Sequence, residues 1–110
     1  PRRMKAVPFF GAGVVEVDVF WSRSLKDRRQ VMRSLVDHLR HHWNVSVAEL
    51  SPEDSWRHGS VAICCAGNSL VAVREKLDAL GAYFAHREKE GDFYIVSQRF
   101  EVVGYDELSR

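Results

Sequence analysis

The hydrophobic and polar residues of segment 14–21 alternate, which predicts a half-buried β-strand. Its two faces are Val15, Val17, Val19 and Trp21 on one side and Val14, Glu16, Asp18 and Phe20 on the other. We expect the valine face to be buried and the face that carries Glu16 and Asp18 to stay open. Because Ser22-Arg23-Ser24 interrupts the alternation, the strand is predicted to end at Trp21.

A helical period covers residues 25–43. At 100° per residue, its main apolar side chains fall within an arc of roughly 60°. These side chains are Leu25, Met32, Val36, Leu39 and Trp43. This is the strongest periodic signal in the chain, and it predicts an amphipathic helix whose apolar side packs on a sheet.

Three further strands and a second helix are predicted downstream. Segment 45–50, the nearly all-apolar segment 61–66 and the aromatic and β-branched segment 93–105 each predict a strand. The second helix is predicted from apolar residues at helical spacing, which are Leu70, Val73, Leu77, Leu80 and Phe84. The charged residues 87–92, which include Gly91, predict a solvated loop before the last strand.

The predicted order of elements is β-α-β-β-α-β, which indicates the α+β class. Two helices in this order favour a ferredoxin-like split β-α-β fold, with a four-stranded antiparallel sheet and both helices on one face. Right-handed crossovers place strands one and three at the centre of the sheet. We expect a single domain over residues 11–105, with an N-terminal extension over 1–10 and a C-terminal tail over 106–110.

Composition limits the class of protein further. The chain has 110 residues, of which 45% are hydrophobic and 28% are charged, as in one ordinary globular domain. Because 16 Lys and Arg nearly balance 15 Asp and Glu, the net charge of +1 implies no partner. Cys64 and Cys65 are adjacent, so they are poorly placed to pair with each other. Two reduced thiols, with no pattern typical of a signal peptide or a membrane span, predict a cytoplasmic protein.

Three segments are similar to a known family. Ser24-Leu25-Lys26-Asp27-Arg28-Arg29, Asn44-Val45-Ser46-Val47-Ala48-Glu49 and Asp54-Ser55-Trp56-Arg57 resemble the bacterial YlxP-like family, a domain of unknown function. The resemblance covers about residues 13–103, and the chain departs from it at the N-terminal extension, after Trp56 and at Cys64-Cys65. It implies a small cytoplasmic ferredoxin-like protein, usually encoded beside translation and ribosome-maturation factors. It implies no established catalytic residues.

The first predicted helix also carries a basic stripe, formed by Lys26, Arg29, Arg33 and Arg40. Cationic side chains spaced one or two turns apart are suited to contact successive phosphates of RNA. Arg23 and Arg28 extend the predicted nucleic-acid-binding set at the near end of the helix. The alternative is an ordinary solvated helix face, because Asp37 lies in the same stripe, where it is placed to pair with Arg33 and Arg40.

The open face of the predicted sheet is a poor surface for reading RNA. Glu16 and Asp18 repel phosphate, whereas a sheet that reads RNA needs aromatic and basic side chains on its central strands. We therefore expect any RNA contact to come through the first helix. The open face, with Phe20, Arg99 and Glu101, is instead predicted to be a self-association surface. The alternative function is accordingly a homodimeric structural or regulatory module that binds a protein partner or a small ligand through this face.

His38, His41 and His42 are the side chains with metal-binding chemistry. His38 and His42 are one turn apart, so they are suited to hold a metal ion from one helix face. A closed site needs two further ligands, and Glu49 is only a loose candidate. The alternative, which we favour, is that the helix dipole stabilises histidines near the C-terminal end of the helix. We assign no metal and no cofactor.

Trp56 and Arg57, in the polar loop before the third strand, form a candidate recognition loop because both residue types anchor contacts. The alternative is that Trp56 closes the core beneath its loop. The sequence contains no phosphate loop, dinucleotide fingerprint, nucleophile elbow or zinc-ribbon spacing. We therefore predict a protein that is not an enzyme, has no catalytic residues, and binds structured RNA or a ribosomal subunit.

Overall fold

This computed structural model describes residues 7–108 of the chain. Its main elements are two long helices and a four-stranded sheet. The elements are β1 Phe9–Asp18, α1 Leu25–His42, β2 Ser46–Glu49, β3 His58–Gly67, α2 Leu70–Lys89, β4 Tyr94–Gly104 and α3 Tyr105–Leu108. The sheet order is β2-β3-β1-β4, and all neighbours are antiparallel. The predicted ferredoxin-like α+β fold, with strands one and three central, is confirmed. Positions 1–6 of the predicted extension and 109–110 of the predicted tail lie outside the described residues.

The core lies between the sheet and the two long helices. Val15, Val17 and Val19 point inward and are at most 1% exposed. They pack against the buried residues of the helices, which are Met32, Leu35, Val36 and Leu39 from α1 and Val73, Leu77, Leu80 and Phe84 from α2. Both helices therefore cover one face of the sheet. The other face, which carries Glu16 and which we call the open face, stays accessible as predicted.

The first strand lies further towards the N-terminus than its hydrophobic pattern predicts, since β1 runs over Phe9–Asp18. The reason lies at Gly13, which pairs with Phe100 on β4. A Cβ atom on Gly13 would lie 2.1 Å from Cδ1 of Phe100, so only glycine lets that ring cover the strand here. A buried glycine has no apolar side chain. The alternation of hydrophobic and polar residues therefore does not show that the strand continues through Gly13.

Serine side chains begin both long helices. Ser24 Oγ accepts a hydrogen bond from the backbone N–H of Asp27 at 3.1 Å, and Ser69 Oγ accepts one from Ala72 at 3.1 Å. At the other end of α1, Asn44 adopts a left-handed backbone conformation with φ of 48°, as is common just after a helix. These local signals explain why both helix starts agree with the sequence prediction. Within residues 7–108, none of the helices is long and apolar enough to cross a membrane.

The predicted solvated loop over residues 87–92 is wrong in its first half, because α2 continues to Lys89. Arg87 is half-buried there: its Nε donates to Asp92 Oδ2 at 2.6 Å and its Nη1 donates to Tyr83 Oη at 3.0 Å. These contacts stabilise the charged end of α2 as a helix.

The prediction that Trp21 lies on the buried face of the first strand is wrong. It lies in a turn after β1, 44% exposed, and its Nε1 donates to the carbonyl oxygen of Asp92 at 2.9 Å.

Candidate nucleic-acid interface

The basic stripe lies on α1 beside the side of the helix that packs in the core. Lys26, Arg29 and Arg33 are exposed, although at 100° per residue Arg29 lies only about 20° from the buried Val36. Among residues 7–108, none of these three forms an ion pair with a carboxylate within 4.0 Å. Their positive charges are therefore not neutralised by direct contacts with described residues. Arg23, just before the helix, is exposed as well, while its backbone N–H donates to Asp27 Oδ2 at 3.0 Å.

Arg40, at the far end of the stripe, has a structural contact. Its Nη2 donates to the carbonyl oxygen of Val47 at 3.1 Å. Val47 belongs to β2, which is an edge strand of the sheet. Asp37 is exposed, and within the described range it forms no ion pair with either Arg33 or Arg40. The neutralising contacts that the sequence suggested for Asp37 are thus not made.

Arg28 occupies a different position from the rest of the predicted set. Its side chain is buried, with 3% exposed, and its Nη1 donates to the carbonyl oxygens of Pro52 at 2.7 Å and His58 at 3.1 Å. Its hydrogen bonds connect α1 to the segment between β2 and β3 and to the first residue of β3, so we leave it out of the candidate interface. The sequence already indicated that Arg28 is buried. A rotation of 100° per residue places it among the apolar positions of the helix and not on the basic stripe.

A groove of about 510 Å³ separates the stripe from the segment that follows β2. Arg29 and Arg33 line the helix side of the groove, and Glu49 and Glu53 line the opposite side. An anion inside the groove would meet these carboxylates. Because Arg29 and Arg33 line the groove themselves, we expect a phosphate backbone to reach them from the solvent side, where it keeps away from Glu49 and Glu53.

The three histidines of α1 have different surroundings, and His38 alone stacks on a residue of α2. The ring of His38 stacks on Tyr83, with centroids 4.8 Å apart and planes within 6°, and lies 4.6 Å from the ring of His42. Burial lowers the pKa of His38, and the charges of His42 and Arg87 lower it further. His41 bonds through Nδ1 to the carbonyl oxygen of Asp37 at 2.7 Å. Residues 7–108 contain no group of three or more His, Cys, Asp or Glu side chains arranged to hold a metal ion.

In the candidate recognition loop, the Trp56 side chain is exposed to solvent, whereas the Arg57 side chain is bound to another residue. Trp56 is 54% exposed, so it does not close the core beneath its loop. Arg57 makes a bidentate contact with Asp18, in which its Nε and Nη2 donate to the carboxylate at 2.9 and 2.7 Å. The hydrogen bond to Asp18, with the attraction of its charge, raises the pKa of Arg57. The guanidinium of Arg57 is thus engaged at the end of β1.

The open face is more apolar than its two predicted carboxylates suggest. It holds a shallow hollow of about 610 Å³ over the middle of the sheet. Small outward side chains form its floor, namely Ala12, Val14, Ser46, Ala48, Ala62 and Cys64. Cys64 is exposed and Cys65 is buried, as expected for neighbours in a strand. The sequence indicated this apolar character through the nearly all-apolar segment 61–66, because such a strand has no polar side to place on the open face.

Two comparisons relate the chain to known proteins. A family model described as "Protein of unknown function (DUF503)" matches residues 10–99. A protein of Bacillus subtilis (strain 168) named "Uncharacterized protein YlxP" is 26% identical to the chain over 73 residues. That alignment covers 66% of this chain and 79% of the Bacillus protein. Both results agree with the resemblance that the three sequence segments carry.

Proposed function

The chain belongs to the DUF503 family, whose function is unknown, and from that premise we propose that it binds structured RNA through α1. The RNA would be free or part of a particle such as a ribosomal subunit. The interface consists of Arg23, Lys26, Arg29 and Arg33, with Arg40 at its far end. The protein acts as a binding module and not as an enzyme.

The observation that carries this proposal is the state of Lys26, Arg29 and Arg33. All three are exposed on one side of one helix, and no carboxylate in the described part of the chain pairs with them. The segment from Lys26 to Arg33 advances about 10 Å along the helix axis. Such an array is suited to contact several phosphates of one backbone.

The opposite side of the molecule supports the same orientation. Glu16 and Glu101 are exposed on the open face, where their carboxylates disfavour a phosphate backbone. Contacts through α1 alone would reach phosphates and not base edges. We therefore expect the protein to recognise the shape of an RNA and to carry little sequence preference.

Binding to ribosomal RNA and to isolated small subunits, measured across a salt series, tests the proposal. If the protein neutralises about three phosphates, a plot of log affinity against log salt concentration has a slope of about −2 to −3. Replacing Arg29→Glu and Arg33→Glu together removes two of these contacts. We expect the slope to fall by about two units and binding at low salt to become very weak, while the circular dichroism spectrum stays unchanged.

A matched control separates this interface from an effect of total charge. Arg74→Glu with Lys89→Glu makes the same change of charge on exposed positions of α2. This variant should bind RNA almost as the original protein does. The proposal is wrong if affinity survives both the α1 reversal and high salt, or if the α2 control loses as much affinity as the α1 variant.

A further inference from the structure

The floor of the hollow, together with two charged residues beside it on β4, forms two parallel rows that run across all four strands. Strand pairing aligns Arg99, Val14, Ala62 and Ala48 in the first row. It aligns Glu101, Ala12, Cys64 and Ser46 in the second row. Each residue of one row is two positions away, along its own strand, from a residue of the other row.

These rows have a self-complementary arrangement. A two-fold axis that lies over the sheet, midway between the rows and parallel to them, exchanges the first row of one molecule with the second row of another. Arg99 of each copy then faces Glu101 of the other copy, and Val14 faces Ala12. We infer that the open face binds a second copy of this chain, with the hollow at the centre of a two-fold dimer.

The size of the central side chains suits this contact. Ala12, Ala48, Ala62 and Cys64 are small, so two sheets can approach face to face. Val14, 41% exposed, is the bulkiest apolar side chain of the floor and lies on β1, one of the two central strands of the sheet. Apolar side chains in the middle with charges at the side are the usual anatomy of a protein interface.

The charges favour a second copy over other occupants. Arg99 and Glu101 are both strongly exposed, and their side chains lie 3.6 Å apart within one chain. RNA would be attracted by Arg99 but repelled by Glu101 and Glu16. A second copy presents the opposite charge to each member of the pair, so both are matched at once.

The first test is the mass of the full chain in solution, measured by light scattering and sedimentation over a range of protein concentrations. We expect a dimer, at twice the chain mass of 12.6 kDa, that dissociates on dilution. A single species of 12.6 kDa at every concentration up to the highest soluble one would overturn the inference.

Charge reversal tests the proposed geometry. Arg99→Glu and Glu101→Arg each place like charges against each other twice in a homodimer, and we expect each to weaken dimerisation by about tenfold or more. A mixture of the two single variants should instead form the heterodimer, since every contact across the axis is then between opposite charges. Pairing within one chain cannot produce that result. Homodimers that are unaffected by either reversal, or a mixture without heterodimers, would contradict the two-fold arrangement.

A second pair of variants tests the hollow itself. Val14→Glu places a charge on the floor, on a central strand of the sheet, and should give a monomer. Val71→Glu, at an exposed position of α2, makes the same substitution away from the sheet and should leave the dimer intact. The α1 variant with Arg29→Glu and Arg33→Glu should also stay dimeric, so this inference and the RNA proposal can fail separately.

Discussion

Arg28 and the two carbonyl groups that it binds connect α1 to the segment before β3 and to the start of β3 itself. The guanidinium donates to the carbonyl oxygens of Pro52 and His58, although the residue lies among the apolar positions of the helix. Hydrogen bonds from a charged donor contribute more to stability than those between neutral groups. At the scale of single residues, we therefore expect Arg28 to contribute to stability.

We expect Arg28→Met to lower the free energy of unfolding by about 2–3 kcal/mol, because two carbonyl oxygens lose their donor. Chemical denaturation followed by circular dichroism measures this change. The matched control is Arg29→Met on the neighbouring exposed residue, which should change stability by less than about 0.5 kcal/mol. Equal effects of the two substitutions would contradict the structural role of Arg28.

The environment of His38 gives stability a dependence on pH. Because its pKa lies below the ordinary value of 6.5, the unfolded chain binds a proton at this residue more readily than the folded protein does. The stability that neutral His38 contributes is therefore present above about pH 6.5 and is lost as the pH falls through the pKa of the folded state.

His38→Phe keeps a ring against Tyr83 and removes the proton equilibrium. We expect the free energy of unfolding of this variant to decrease less than that of the original protein as the pH falls from neutral to mildly acidic values. His86→Phe serves as the control, since His86 is exposed and its Nε2 lies 3.3 Å from Oε1 of Glu90. If stability depends on pH in the same way in the His38 variant and in the original protein, His38 is not the source of that dependence.

At the scale of elements, the start of α1 depends on the side chain of Ser24. Ser24→Ala removes the acceptor for the N–H of Asp27, so we expect a loss of about 1 kcal/mol. Ser24→Asp keeps an acceptor at the same place and should retain most of the stability. Thermal unfolding of both variants measures the difference, and an equal loss in both would show that the cap contributes little.

The bounds of most elements were predicted closely, and the exceptions have a physical reason. A helix of 18 residues repeats its apolar side chains over five turns, so residues 25–43 differ from the observed Leu25–His42 by only one position. The predicted strands 45–50 and 93–105 also end within one position of β2 and β4, whereas the prediction for β1 is displaced. In β1, Gly11 and Gly13 face the helices without an apolar side chain, which removed half of the pattern.

The basic stripe could be predicted because it depends on one helix alone. The contacts of Arg28, Arg57 and Arg87 could not, since each joins groups from parts of the chain that meet only in the fold. The two rows of the open face likewise require the pairing of four strands. A local pattern therefore identifies which side chains point outward, whereas their partners come from the topology.

At the scale of the whole molecule, the two proposed surfaces lie on opposite sides of the sheet. A dimer joined through the open faces carries its two copies of α1 on its outer sides. Each dimer would then present two basic helices that point away from each other. Such a dimer gains avidity only from an RNA, or a particle, that can reach both sides at once.

The central place of β1 has a consequence for how the chain folds during synthesis. β1 is translated early, yet its neighbours in the sheet are β3, which begins at His58, and β4, which begins at Tyr94. Contacts between such distant segments give a high contact order, which slows folding. Until β4 has been translated, one edge of β1 has no partner, and its apolar residues are open to pairing with another chain. The nascent protein is thus most prone to aggregate just before its last strand emerges.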